Sequence, residues 1–263
     1  MSKKGMGRRD FLKSTAAGMG GFVYLSANEK SSPEKGPEKK EEKITYRTLG
    51  KTGMKLPVIT MGVMNTSNPA LVRAALSNGL YYLDTAQTYQ RGTNESMIGE
   101  VLKGHPRDSF AIATKARLPM NQTTGLYTEE ATEQAYAQKI NTSLKNLGLD
   151  YVDIYHHHGI WVKETALYEP VLNAMVKAKK AGKIRFIGIT THRNEPEIID
   201  AAVDSKVYDV VLPAYNFRQK HGEEVKKAIA RAAGAGLGVI AMKTIGATWG
   251  ATTITRRSTR RHA

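Results

Sequence analysis

The feature that most constrains this chain is a repeated alternation between short apolar runs and longer helical periods. Apolar runs rich in β-branched residues occupy 58–61, 81–85, 110–115, 152–157, 184–190, 210–215 and 239–243. Between them, apolar residues recur at helical spacing over 69–78, 94–103, 129–147, 164–181, 196–203 and 223–235. Parallel neighbours need a crossover of about a dozen residues, and the helical segments supply it. The apolar runs are nearly continuous rather than alternating, as strands covered on both faces require. Seven strand signals separated by six helix signals therefore predict an α/β fold built on one parallel sheet. Polar residues recur at the C-terminal ends of the strands, which favours closure into a (β/α)8 TIM barrel, here incomplete with about seven of the eight units.

Both ends depart from this pattern. Residues 1–27 carry Arg8-Arg9-Asp10-Phe11-Leu12-Lys13 and then a mildly apolar, glycine-bearing run. The stretch resembles a twin-arginine signal, which implies handling by the Tat export machinery and a periplasmic or extracytoplasmic location. Its apolar run is short and glycine-rich for a bilayer span, so membrane contact is expected only through this signal where it stays uncleaved. Residues 28–43, rich in Glu, Lys, Pro and Ser, read as a solvated linker, and the barrel domain is placed at 44–247. Residues 248–263 read as a basic tail without apolar period or helix caps. The change is abrupt enough to predict that the native reading frame is lost near residue 247. A barrel cut short there would expose sheet edges and be poorly stable.

Charge is spread to match. Of the formal +15, +4 lies in residues 1–43, +4 in the last eight residues and +7 in the body. A basic body suits an anionic ligand such as a nucleotide phosphate; no nucleic-acid-binding signature accompanies it, and no nucleic-acid partner is expected. The chain has no cysteine, which excludes disulfides, thiolate metal sites and iron–sulfur clusters from it.

The chemistry-bearing stretch is Leu83-Asp84-Thr85-Ala86-Gln87-Thr88-Tyr89. An apolar strand here ends in a carboxylate, and a phenol follows five residues later in a loop, where α/β proteins place reactive groups. Lys115 ends the next apolar strand, and a buried ammonium without a function or a partner would be costly there. His156-His157-His158 ends the one after. Alternation puts the first and third histidines on one face and His157 on the other, so the three cannot converge on one metal, and none is predicted.

Several motifs together resemble the aldo-keto reductases. They are Tyr46-Arg47-Thr48-Leu49-Gly50-Lys51-Thr52-Gly53-Met54, Asp84-Thr85-Ala86 with Tyr89, Ala113-Thr114-Lys115, Leu147-Gly148-Leu149-Asp150-Tyr151-Val152-Asp153 and Gly182-Lys183-Ile184-Arg185-Phe186-Ile187-Gly188. The resemblance implies an Asp, Tyr, Lys, His tetrad at Asp84, Tyr89, Lys115 and His158; strand parity alone leaves His156 and His158 equal, and the family spacing from Asp153 selects His158. It also implies hydride transfer from NADPH, or NADH, to a small aldehyde or ketone. Tyr89 is then the proton donor, Lys115 lowers its pKa, Asp84 holds Lys115, and His158 orients the carbonyl. Cofactor contacts carried over by resemblance are Gly62, Thr190, Met242 and Lys243. Here the chain departs from the family: no Asn follows Thr190, Leu212 stands where many members have Gln, and Met242 where many have an aromatic residue. The alternative expectation is a truncated barrel that keeps the tetrad without a stable cofactor site.

Overall fold

The computed structural model describes residues 44–244. The expected export signal (1–27), linker (28–43) and basic tail (248–263) lie outside the described residues. The described chain opens with an antiparallel hairpin, β1 (Tyr46–Thr48) and β2 (Lys55–Pro57), in which Arg47 pairs with Leu56. A turn of 3-10 helix, Gly50–Thr52, joins them and ends at Gly53 with φ of 72°.

Seven strands then form one parallel sheet in chain order: β3 (Met61–Gly62), β4 (Tyr82–Asp84), β5 (Ala111–Ala116), β6 (Val152–His157), β7 (Ile184–Thr191), β8 (Val210–Pro213) and β9 (Gly238–Val239). The helices that return the chain are α1 (Pro69–Ser77), α2 (Asn94–Leu102), α3 (Glu133–Leu147), α4 (Lys163–Ala166), α5 (Glu169–Lys180), α6 (Glu195–Ser205) and α7 (Gly222–Gly234). The curled parallel sheet with its helices is the incomplete α/β barrel that the alternation predicts. Leu83, Ile112, Tyr155, Ile189 and Val211 point outward and pack on Ile98, Ile140, Met175, Ile198 and Val225 of the helices. Tyr82, Ala111, Ala113, Ile154 and Val210 point inward, and Leu49, Met54 and Leu56 of the hairpin close that interior from below.

The hairpin is a feature that the sequence reading did not anticipate, and it displaces the first expected strand. Residues 58–61 were expected to be buried, yet Val58 is 54% and Ile59 73% exposed. The reason is that Val58 N–H donates to Thr45 O, prolonging the hairpin, so the chain reaches the parallel sheet only at Met61. The hairpin also ties the first segment to the last strand. Lys51 N–H donates to Gly236 O at 2.8 Å, and a Cβ at position 50 would lie 2.5 Å from Gly238 N, so only glycine fits.

Other boundaries moved as well; the helix expected over 129–147, for instance, begins at Glu133. The helix expected over 164–181 is two helices, because Pro170 would meet the carbonyl of Ala166 in a continuous helix. That carbonyl instead accepts from the Tyr208 hydroxyl at 2.7 Å. The last strand, expected over 239–243, is two residues long and continues only as a bridge between Ala214 and Met242.

Candidate active site

Strand ends bring the four expected residues together. Asp84 ends β4, Lys115 is the penultimate residue of β5, and His158 follows β6 directly. Tyr89 opens a short 3-10 turn, Tyr89–Gly92. Lys115, 1% exposed, donates from Nζ to Asp84 Oδ1 and to the carbonyl of Thr85 at 2.7 Å. Its ammonium lies 4.8 Å from the centroid of the Tyr89 ring. His158 meets that ring edge-on, with centroids 5.9 Å apart and planes at 82°. A buried ammonium is tolerable only when paired and hydrogen-bonded, and both conditions hold here.

A second set of buried polar groups fixes the loop that carries Tyr89. Thr85 Oγ1 donates to Asn94 Oδ1 at 2.6 Å, and the Asn94 amide donates to Val63 O and Thr66 O. Glu95 accepts from Thr114 Oγ1 at 2.6 Å and from Asn146 at 2.9 Å. Between Tyr89 and these anchors, Gln90 and Arg91 hold left-handed φ of 49° and 56°, a conformation that costs a residue with a side chain about 1 to 2 kcal/mol. Gln90 is tied down by donating from Nε2 to Met64 O at 2.7 Å. The loop is thus over-determined, as a positioned acid requires.

The electrostatics differ from expectation at one residue. Lys115 was expected to make the Tyr89 phenol more acidic. Burial pushes its pKa up by more than Lys115 lowers it, and Asp84 adds to the rise, so the net direction is upward. Tyr89 therefore stays protonated at neutral pH, a competent donor though not an activated one. His158 is held far below the usual histidine range, first by burial and then by the positive charges of Lys115 and Arg117, with smaller contributions from its histidine neighbours His192 and His156. It is a neutral imidazole at neutral pH, able to donate one N–H.

The other two histidines of the run have different settings. His157 lies on the outer face: the Tyr208 hydroxyl gives its proton to Ala166 O and so accepts from Nδ1–H of His157 at 3.0 Å, leaving Nε2 to accept from Tyr127. His156 is fully buried with neither ring nitrogen partnered, and a Cβ on Gly188 would lie 2.1 Å from its Nδ1. Among the described residues, no three His, Asp or Glu side chains are grouped to hold a metal.

A cavity of about 1040 Å³ opens over the tetrad at the C-terminal ends of the strands. Asp84, Tyr89 and His158 line it, as do Gly62, Met242 and Lys243 of the expected cofactor contacts. Thr190 does not line it; the residue is fully buried, and its Oγ1 accepts from Gly159 N–H at 2.7 Å. Arg117, Trp161, His192, Arg193, Asn216 and Gln219 also line the cavity and were missed by sequence reasoning. The signal that could have found several of them is position, since Arg117, His192 and Arg193 stand one or two residues beyond a strand end.

The sequence profile of the Aldo/keto reductase family matches residues 59–262. The chain belongs to this family. Among curated relatives, it is 34% identical over 163 residues to L-galactose dehydrogenase of Arabidopsis thaliana, covering 56% of this chain and 49% of that protein. It is 30% identical over 165 residues to L-glyceraldehyde 3-phosphate reductase of Escherichia coli K12, covering 58% of this chain and 46% of that protein. The chain thus spans about half the length of the curated relatives it matches. The holo form of an aldo-keto reductase from Bacillus halodurans superposes with a TM-score of 0.63 at 24% identity, covering 76% of this chain and 66% of that one. An aldo/keto reductase from Brucella melitensis gives 0.59 at 24% identity, covering 78% and 74%. These structures speak for the barrel fold. The family match and the sequence relatives speak for membership of the aldo-keto reductase family.

Proposed function

We propose that this aldo-keto reductase reduces a small aldehyde or ketone with NADPH, or NADH, using Tyr89 as the proton donor. The observation that carries the reading is the buried Lys115–Asp84 pair set beneath the Tyr89 ring with His158 at its edge. The nicotinamide, when bound, supplies the hydride that reaches the carbonyl carbon. The chain's own residues do the rest. His158, kept neutral by burial, donates an N–H to the carbonyl oxygen and fixes its direction. Tyr89 gives that oxygen its proton as negative charge develops there, and the Lys115 ammonium stabilises the phenolate left behind. Asp84 keeps Lys115 charged and in place.

The residues present fit a dinucleotide. Gly62 has no heavy atom within 4 Å of where a Cβ would stand, leaving room at the end of β3, and Met242 and Lys243 face the same cavity from beyond β9. Lys243 is the group suited to a pyrophosphate oxygen. A second reading, a barrel that keeps the tetrad but binds no cofactor stably, draws on the two-residue length of β9. Titrating the chain with NADPH and with NADH, followed by the fluorescence of Trp161 and Trp249, decides between them. Saturable binding, tighter for NADPH, with turnover of simple aldehydes is the expected outcome; no binding of either cofactor would leave the second reading standing.

The same proposal includes export. The Arg8-Arg9 pair followed by Phe11-Leu12-Lys13 supports delivery of the folded protein by the Tat machinery to the periplasm. Replacing both arginines with lysine should retain the protein inside the cell, and unchanged periplasmic recovery would overturn the export reading.

A further inference from the structure

The cavity is lined unevenly in charge. Asp84 is the one carboxylate among the described residues that line it, and Lys115 holds it. The cations Arg117, Arg193 and Lys243 line the same cavity. Lys243 stands beyond β9, on the flank suited to the cofactor, and Arg193 lies 5.7 Å from the centroid of the Trp161 ring. Arg117 is different. It follows β5, between the strand that ends in Asp84 and the strand that leads to His158, and is therefore beside the reacting groups. A Cβ on Gly159, the residue after His158, would lie 3.5 Å from its Nη1. No carboxylate pairs with it among the described residues, and the side chain is exposed to the cavity.

A guanidinium without a carboxylate partner among the described residues works against the site's own electrostatics at this position. It adds positive charge beside Lys115 and makes His158 and His192 harder to protonate. Its backbone is nevertheless held firmly. The Ala116 carbonyl before it accepts from His158 N–H at 3.0 Å and from the Tyr136 hydroxyl at 3.2 Å. The loop after it is bridged by Met120 and Tyr127 and pinned where Tyr127 meets His157 and Thr165 Oγ1 donates to Gly125 O at 2.7 Å. A cation set on a fixed segment beside the proposed proton donor, with no carboxylate partner among the described residues, is a recognition group for an anion that arrives with the substrate.

We infer that Arg117 selects carbonyl substrates that carry an anionic oxygen group, a carboxylate or a phosphate, pairing with that group while the carbonyl sits at Tyr89 and His158. The inference rests on the reading of the site as a carbonyl reductase and names the class of substrate for it. Arg117 acts here in substrate binding, and the charge of its partner is what distinguishes it from a solvated arginine.

The test uses matched probes: 4-oxobutanoate against its neutral methyl ester, and glycolaldehyde phosphate against glycolaldehyde. The quantity read is the ratio of kcat/KM for the charged and neutral member of each pair, so effects common to both cancel. The wild-type ratio should favour the charged probe by about tenfold or more, as a charge-assisted hydrogen bond does. Arg117→Lys should keep part of the preference, Arg117→Gln should remove it, and Arg117→Glu should reverse it. The pair with the larger ratio identifies the anion as carboxylate or phosphate. A ratio near one in the wild type, or one that Arg117→Glu leaves unchanged, would overturn the inference. A second readout separates this from the reductase reading itself. In a Trp249→Phe background, binding of each probe is followed through Trp161, which lines the cavity. Charge-selective binding lost in Arg117→Glu, without turnover of any probe, would sustain Arg117 as the anion-recognition group while the reductase reading fails. Absence of both charge-selective binding and turnover would overturn both.

Discussion

The cavity has two flanks, and they are built to different standards. On one, β5 and β6 are six residues each and are paired at four positions, and Lys115 and His158 stand at or just past their ends. Behind them, Thr85, Asn94, Glu95, Thr114 and Asn146 bond to one another and to the backbone. On the other flank, β8 has four residues and β9 two, and their pairing spans only Val210 with Gly238 and Val211 with Val239. Past β9, Met242 is tied to β8 by its N–H to Pro213 O at 3.0 Å and by Tyr215 N–H to its own carbonyl at 3.1 Å. The lesson is that the proposed proton-transfer groups Lys115 and His158 rest on long buried strands and polar clamps, whereas the proposed cofactor groups Met242 and Lys243 follow a strand of two residues.

The largest expected effect breaks the first flank chemically and leaves the second alone. Tyr89→Phe removes the proposed proton donor and keeps the ring that meets His158 edge-on. Carbonyl reduction should fall by about a hundredfold to ten-thousandfold, the range of a positioned general acid, while the dissociation constant for NADPH stays within about twofold. Turnover near the wild-type rate would remove Tyr89 from its role.

Next in size is acid sensitivity, which is concentrated on the same flank. His156 and His158 are held well below the ordinary histidine value by burial, and His157 is lowered to about 3 for the same reason. A lowered folded-state value means that the unfolded chain binds more protons, so stability rises with pH across this window and is lost as pH falls below about 6.5. Each histidine contributes about 1.4 kcal/mol per pH unit there, and three together about 4 kcal/mol, a large share of a typical domain's stability. Urea midpoints at pH 7.0 and pH 5.5 should differ accordingly, with hydrogen exchange at pH 5.5 showing β6 among the first strands to lose protection. A pH-independent midpoint would mean that these rings are hydrated.

A third comparison reads packing directly. Leu83→Ala, at a fully buried site between sheet and helices, should cost about 3 kcal/mol. Val239→Ala, at a partly buried site on β9, should cost about 1 kcal/mol or less. Equal losses in denaturant titrations would mean that the two flanks are equally cohesive.

The same contrast explains what the sequence could disclose. Asp84 and Lys115 stood out because a polar residue at the end of a buried strand is costly and therefore conspicuous, whereas His158 was separated from His156 only by the spacing that the resemblance implies. The order of strands and helices was legible because crossovers in a parallel sheet leave a period in the sequence. The opening hairpin was not, because its strands are three residues long and β1 is exposed throughout, so neither produces a buried period. Arg117 and Trp161 were not, because the facing of a loop side chain depends on anchors such as Tyr127 and Thr165 that only the folded chain brings together. Glu95 read as a helix's first turn, and nothing local reveals that Thr114 and Asn146 come to meet it. The rise in the Tyr89 pKa was missed for a related reason: the sequence shows the ammonium but not the burial that outweighs it.

The smallest effect tests the seam between the flanks. Thr190 was carried over by resemblance as a cofactor contact, yet its Oγ1 accepts from the N–H of Gly159 at 2.7 Å and the residue is fully buried. Ile160 N–H reaches the Thr190 backbone carbonyl at 2.9 Å, so the two bonds together fasten the segment after His158 to β7. Thr190→Val keeps the shape and deletes the acceptor, leaving a buried N–H unsatisfied at a cost of about 1 to 2 kcal/mol. In a domain of this size that lowers Tm by about 2 to 4 °C for each kcal/mol. Thr190→Ser restores the oxygen and should recover most of the loss. If the residue is a structural tie, the valine variant loses stability and some kcat through a looser His158, with KM for NADPH unchanged. If KM for NADPH rises severalfold at unchanged Tm, Thr190 belongs to the cofactor flank, and the division between the two flanks lies one strand nearer the tetrad.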